Sequence, residues 1–229
     1  MRTYTIIQGD NTLDMDYVKV FITTVAGYLL GSVSIAVLLS KYIYKKDVRL
    51  VGSKNAGATN IARIYGMSSG LITLTGDVLK TVIAMMIGKL LLGIPGLALS
   101  GVACLIGHCW PVFFKFRGGK GVAVGAAIAA LLDWRFFLIV LFAFIIMFIV
   151  TKTVSAGSLA AAVTYPVAWV LLKGVSLSTI IFGVSVMVIV VIRHSENLRR
   201  LVRREEKKFS FYKKPEEEIP NSGKENLQR

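Results

Sequence analysis

The chain has 229 residues, 55% of them hydrophobic and 17% charged, with a mean hydropathy of +0.66 and a net charge of +14. This balance excludes an ordinary soluble domain; long apolar runs with few charges predict transmembrane helices. The cations are confined to a few segments, so membrane topology accounts for them and a nucleic-acid partner is not expected.

Met1–Asp16 is polar and lacks the basic-then-apolar order of a signal peptide. Seven apolar spans follow: Val18–Leu39, Leu71–Leu92, Leu97–Phe114, a short Gly121–Leu132, Phe136–Val150, Val154–Leu172 and Val175–Ile192. The sequence therefore predicts an all-α integral membrane protein of seven transmembrane helices. A polar leader covers 1–16, the transmembrane domain 17–195 and a basic tail 196–229, whose last fifteen residues read as disordered. Seven spans place the termini on opposite sides. One side carries 21 Lys and Arg residues against 5 on the other, which predicts the N-terminus outside and the C-terminus in the cytoplasm.

Two glycine-rich basic stretches fall on that cytoplasmic side. The first is Asp47–Asn60, with Arg49, Ser53, Asn55, Thr59 and Asn60; the second runs from Gly107-His108 through Gly118-Gly119-Lys120-Gly121. Small residues let a ligand approach the backbone, while fixed cations and amide or hydroxyl donors suit a phosphate. Arg49 offers a fork of donors and Lys120 a point charge. Asp77 and Lys80, three apart on one helix face, read equally as a structural ion pair or as part of a site. His194 and Asn197 share a face at the end of the last span. Ser32 and Ser155, among small residues, fit either helix packing or substrate contact.

Several chemistries are excluded. Gly118–Gly121 is no nucleotide-binding phosphate loop, because Phe114 and Gly121 stand where glycine and Ser or Thr are needed. The aspartates near Met15 make no EF-hand loop, since Val18 occupies a ligand position. Cys104 and Cys109 form no CxxC pair and no zinc set, so no metal is expected. Phe113 and Arg199 stand five residues after His108 and His194, so the His-x4-Asp arrangement of soluble-donor glycerolipid acyltransferases is absent.

Taken together, these motifs resemble the bacterial acyl-phosphate-dependent glycerol-3-phosphate acyltransferases. The resemblance runs from Gly31-Ser32 through Asp47–Asn60, Asp77 with Lys80, Gly107–Ala123, Val154-Ser155 and Arg193–Asn197 to Arg200-Leu201, Glu205 and Lys207. It implies seven helices with a cytoplasmic active site in the bacterial inner membrane. The implied reaction moves an acyl group from acyl phosphate to the 1-position of glycerol 3-phosphate, without a cofactor, giving lysophosphatidic acid. By analogy Arg49, Ser53, Asn60 and Lys120 hold phosphates, His194 and Asn197 orient the glycerol, and Ser32 contacts substrate or donor. The base is then a substrate phosphate oxygen or His194.

Departures stand at Ser34, where the family has proline and a straighter helix is therefore expected, at Lys54 in place of glycine, and at Val124 in place of threonine. Met1–Asp14 lies outside the resemblance, which leaves Met15 as an alternative start. A transporter for a phosphorylated metabolite and a non-catalytic lipid-binding relative are the competing readings. Acyl-chain preference and oligomeric state, monomer included, are open.

Overall fold

A computed structural model describes residues 10–209. Among them are nine α-helices and no strand: α1 Asp10–Ser32, α2 Ile35–Tyr42, α3 Ala58–Tyr65, α4 Met67–Cys109, α5 Val122–Leu132, α6 Trp134–Thr151, α7 Val154–Lys173, α8 Leu177–Arg193 and α9 Ser195–Val202.

The 43 residues of α4 would extend roughly 65 Å as a straight helix, twice the hydrocarbon thickness of a bilayer. They do not extend so far. Gly93, at φ 65° and ψ −145°, breaks the helical path just before Pro95, and the second arm folds back along the first. Gly88 and Gly96 make this possible, because a Cβ on either would overlap the other's carbonyl oxygen. Ser100 Oγ then donates to Ala84 O at 2.6 Å across the two arms. The expected pair Leu71–Leu92 and Leu97–Phe114 is therefore present as the two arms of α4, broken at Gly93.

By length and composition, four segments can cross a membrane: Met15–Tyr42, Met67–Phe114, Trp134–Thr151 and Val154–Lys173. A fifth, α8 with α9, is bent by 65° at His194. The fourth expected span, short in the sequence as well, is the 11-residue α5, about 16 Å long and about half the usual length of a spanning helix. Only 11% of the α6 window is covered by protein. Its Phe142, Ile149 and Val150 are exposed, which suits lipid as the neighbouring solvent.

The core lies between α4, α5, α6, α7 and α8, around Met85, Leu105, Ile128, Phe136 and Val186. Phe136 meets Tyr165 edge-on at 4.5 Å and Trp169 at 5.0 Å, and the buried Tyr165 hydroxyl donates to Gly125 O. At the far end Asp133 binds both Arg135 and Lys173, tying the α5–α6 corner to the end of α7.

Two departures from the family resemblance have structural readings. Ser34 does not straighten the first span: the helix stops at Ser32, and Ser34 caps α2 by accepting from Val37 N. A serine replaces proline's forced break with a capping hydrogen bond. Lys54 has φ 57°, in the left-handed region where glycine is unstrained. That region costs a non-glycine residue about 1–2 kcal/mol, partly offset by the greater chain entropy glycine loses on folding. Lys54→Gly should therefore stabilise the protein by about 0.5–1 kcal/mol, read as a raised melting temperature in detergent.

Candidate active site

The loops 43–57 and 110–121, the α6–α7 link and the segment 193–209 meet at one end of the bundle. Hydrogen bonds between them fix that arrangement. Arg49 Nη1 donates to Phe114 O at 2.7 Å, joining the first two loops. Arg193 donates to the carbonyls of Gly119 (3.0 Å) and Gly118 (3.1 Å), with its guanidinium over the Trp110 ring. Phe209 N donates to Lys152 O, laying residues 203–209 back over the end of α7.

These segments enclose a cavity of about 1180 Å³, larger than the usual pocket for a small polar ligand. It has two parts of opposite character. The inner wall is polar, with Ser53, Asn55, Thr59, Lys120, Ser155, His194, Asn197, Arg200 and Glu206. From there an apolar arm runs between α5, α6, α7 and α8 past Ala127, Phe137, Val140, Leu141, Ala161 and Val186.

Lys120, Asn197, Glu206, Ser155 and Arg200 form one network. The Lys120 ammonium donates to Asn197 Oδ1. Asn197 Nδ2 donates to Glu206 Oε1 at 2.7 Å, where Ser155 Oγ also donates at 2.8 Å, and Arg200 Nε donates to Glu206 Oε2 at 2.7 Å. Because a carboxylate only accepts, Glu206 fixes the Asn197 amide with its oxygen towards Lys120. Burial brings the Lys120 pKa down to about 8, against the pull of the Glu206 charge. His194 is buried, and its Nδ1 lies 2.8 Å from Val190 O. A carbonyl cannot donate, so the neutral ring carries its proton on Nδ1 and Nε2 is the accepting nitrogen.

The expected site residues divide by position. Lys120, Asn197, His194, Ser155, Ser53, Asn55, Thr59, Gly118 and Gly121 line the cavity with Asp77 and His108. Arg49 and Asn60 line it too, but they are heavily engaged within the first loop. The Arg49 fork closes on Asp47, whose carboxyl it holds well below the usual carboxylate range. Asn60 donates to the carbonyls of Val48, Val51 and Asn55 and accepts from Ser53 N, acting as the hub of the 48–55 turn. Ser32, Lys80 and Gly119 lie outside the cavity wall. Ser32 Oγ donates to Tyr28 O and accepts from Val112 N, joining α1 to the second loop.

Two residues at the site were given no role from the sequence, Arg193 being named only within the motif it opens. Arg193 clamps the Gly118-Gly119 backbone, and Glu206 rather than Glu205 enters the network. Adjacent glutamates are indistinguishable by composition; the turn at Arg204, with φ 59°, sets which one points inward. Among the described residues no group of three His, Cys, Asp or Glu side chains could hold a metal ion.

Long apolar helices around a half-polar, half-apolar cavity define the class as an integral membrane protein. The family model described as "Glycerol-3-phosphate acyltransferase" matches residues 21–204, and the chain belongs to that family. It is 38% identical over 191 residues to the glycerol-3-phosphate acyltransferase of Thermoanaerobacter pseudethanolicus, covering 82% of this chain and 94% of the relative. The Methylococcus capsulatus enzyme of the same name is 39% identical over 181 residues, 78% of this chain and 90% of the relative. Among solved structures it is similar to PlsY, an integral membrane glycerol 3-phosphate acyltransferase. The glycerol 3-phosphate form gives a TM-score of 0.77 at 30% identity, covering 83% of this chain and 96% of that one. The lysophosphatidic acid form gives 0.74 at 28%, covering 83% and 95%.

Proposed function

We propose that this protein transfers a fatty acyl group from an acyl phosphate to the 1-hydroxyl of glycerol 3-phosphate, releasing lysophosphatidic acid and phosphate. The reaction is placed at the cytoplasmic face of a bacterial inner membrane, with the chain crossing seven times. The observation that carries this reading is the cavity itself, in which a cationic, amide-rich basin opens into an apolar arm. A phosphate ester fits the basin and an acyl chain fits the arm. The PlsY forms with glycerol 3-phosphate and with lysophosphatidic acid support the same pair of ligands.

An acyl phosphate is a mixed anhydride, already activated, so no covalent enzyme intermediate is required. The glycerol oxygen attacks the acyl carbon, the bond from that carbon to the phosphate oxygen breaks, and phosphate leaves with the electron pair. The hydroxyl proton passes to a phosphate oxygen or to Nε2 of His194. What the chain supplies is position, bringing the reacting atoms to about 3–3.5 Å, and charge, through Lys120 against the departing phosphate. Asn197 holds that ammonium, and His194 orients the hydroxyl.

Lys120 must be protonated to hold phosphate, so kcat/KM should fall as pH rises through about 8. Glu206→Gln removes the negative charge that raises this pKa and should move the basic limb to lower pH. A basic limb that does not move would separate Lys120 from the titration.

Offering the purified protein either an acyl phosphate or the matching acyl thioester tests the donor. Acylation of glycerol 3-phosphate from the phosphate alone is expected. Equal rates from the thioester would overturn the assignment.

A further inference from the structure

An ion cluster that the chemistry above does not use runs from the cavity wall, which Asp77 and His108 reach, to Lys80 behind it. Asp77 and Lys80 sit one turn apart on the first arm of α4, and His108 lies at the end of the returning arm. They are 3%, 6% and 5% exposed. Lys80 Nζ lies 2.8 Å from Asp77 Oδ1, in an ion pair off the ideal hydrogen-bond line, 3.0 Å from His108 Nδ1 and 2.8 Å from Val33 O. Two of the ammonium's three protons go to His108 Nδ1 and Val33 O, and its charge is paired with the Asp77 carboxylate. Lys80 does not line the cavity.

The imidazole is fixed by the same contact. An ammonium has no lone pair, so Nδ1 accepts and the ring proton sits on Nε2. That nitrogen fills the space beside Gly119, where a Cβ would overlap it. The His108 carbonyl also accepts from Gly119 N at 3.1 Å and occupies the place of a Gly118 Cβ. His108 is thus the bed on which Gly118-Gly119 rests, with Arg193 holding the loop's carbonyls from the other side. The next residue is Lys120.

We propose that Asp77, Lys80 and His108 form a positioning device rather than a substrate contact: Lys80 orients the imidazole, the imidazole seats Gly118-Gly119, and that seat places the Lys120 ammonium. This rests on the reading that Lys120 holds a substrate phosphate. A stabilising role alone explains little, because a buried ion pair contributes weakly compared with apolar side chains of the same size. Charges kept within a membrane-spanning segment mark function more often than stability. The contact to Val33 O further ties the seat to the break between α1 and α2.

The test measures kcat and KM for glycerol 3-phosphate, with the melting temperature, on the purified full-length chain. Lys80→Met and Gly119→Ala should each lower kcat/KM about 10²-fold, as expected for a reacting group displaced by an ångström. Both act through His108, so the double variant should lose no more than about threefold beyond the worse single one, whereas independent losses multiply. Asp77→Leu/Lys80→Met removes both charges together and offers His108 Nδ1 no donor. It should recover melting temperature lost by Lys80→Met without recovering kcat/KM, because the imidazole still lacks its donor. Multiplying losses, or activity that returns with stability, would overturn the inference. An active wild type with an equally active Lys80→Met variant counts against this device alone; a wild type inactive with acyl phosphate counts against the proposed reaction.

Discussion

Lys120→Ala should lower kcat/KM by about 10³-fold while leaving the fold intact, the loss typical of one preorganised charge at a site of developing negative charge. The ammonium lies in a largely enclosed wall where the local dielectric is low, which strengthens its attraction for a departing phosphate. Arg at this position is not an equivalent replacement. Its planar fork is longer and cannot occupy the Asn197 contact in the same geometry. Lys120→Arg should therefore recover only part of the loss, mostly in KM. Steady-state kinetics with both substrates varied will check this; wild-type kcat/KM in the alanine variant would remove Lys120 from the mechanism.

Glu206→Ala is expected to have the next largest effect, on stability as well as rate. Three donors converge on this carboxylate, from Ser155, Asn197 and Arg200, and its removal leaves them facing one another without an acceptor. The Asn197 amide is then free to turn, and Lys120 loses its fixed partner. A fall in kcat/KM of about 10²-fold is expected, together with a lower melting temperature. The pH dependence of stability has a definite sign. Burial pushes the Glu206 carboxyl up, but bonds from Arg200, Asn197 and Ser155 outweigh burial and hold it below its ordinary value of 4.5. The stabilisation is then full above 4.5 and is lost as pH falls through the folded value. Melting curves of wild type and Glu206→Ala should converge in acid; a constant gap between them would contradict this origin.

Much of the architecture was legible because lipid enforces a simple grammar of apolar runs and charged loops. Gly93-Ile94-Pro95-Gly96 marked the hairpin within α4, and the helical path breaks there at Gly93. The short reach of Gly121–Leu132 was legible as well, within one residue of α5, which packs against α4 and α6. Less legible was the break at Ser32, which splits the expected Val18–Leu39 span into α1 and α2.

The polar residues divided along a physical line. Lys120, Asn197 and His194 were candidates in the sequence, and the fold brings all three to the cavity wall. Arg49 and Asn60 have the right chemistry for phosphate, but in this structure it is turned on their own loop. Composition records donor groups; it does not record which acceptors the fold has already supplied. Ser32 is the same case, its hydroxyl taken by Tyr28 and Val112. Glu206 was hidden by its neighbour, Glu205, and Lys54 was a puzzle until its left-handed backbone explained why glycine suits the position.

The central claim is that one cavity handles two phosphates, one kept on the product and one released. Its most direct test follows lysophosphatidic acid and inorganic phosphate together, using purified protein with acyl phosphate and labelled glycerol 3-phosphate. The two products should appear in equal amounts, and neither should exceed background with Lys120→Ala. Phosphate release without an acylated glycerol, or acylation without phosphate release, would contradict it.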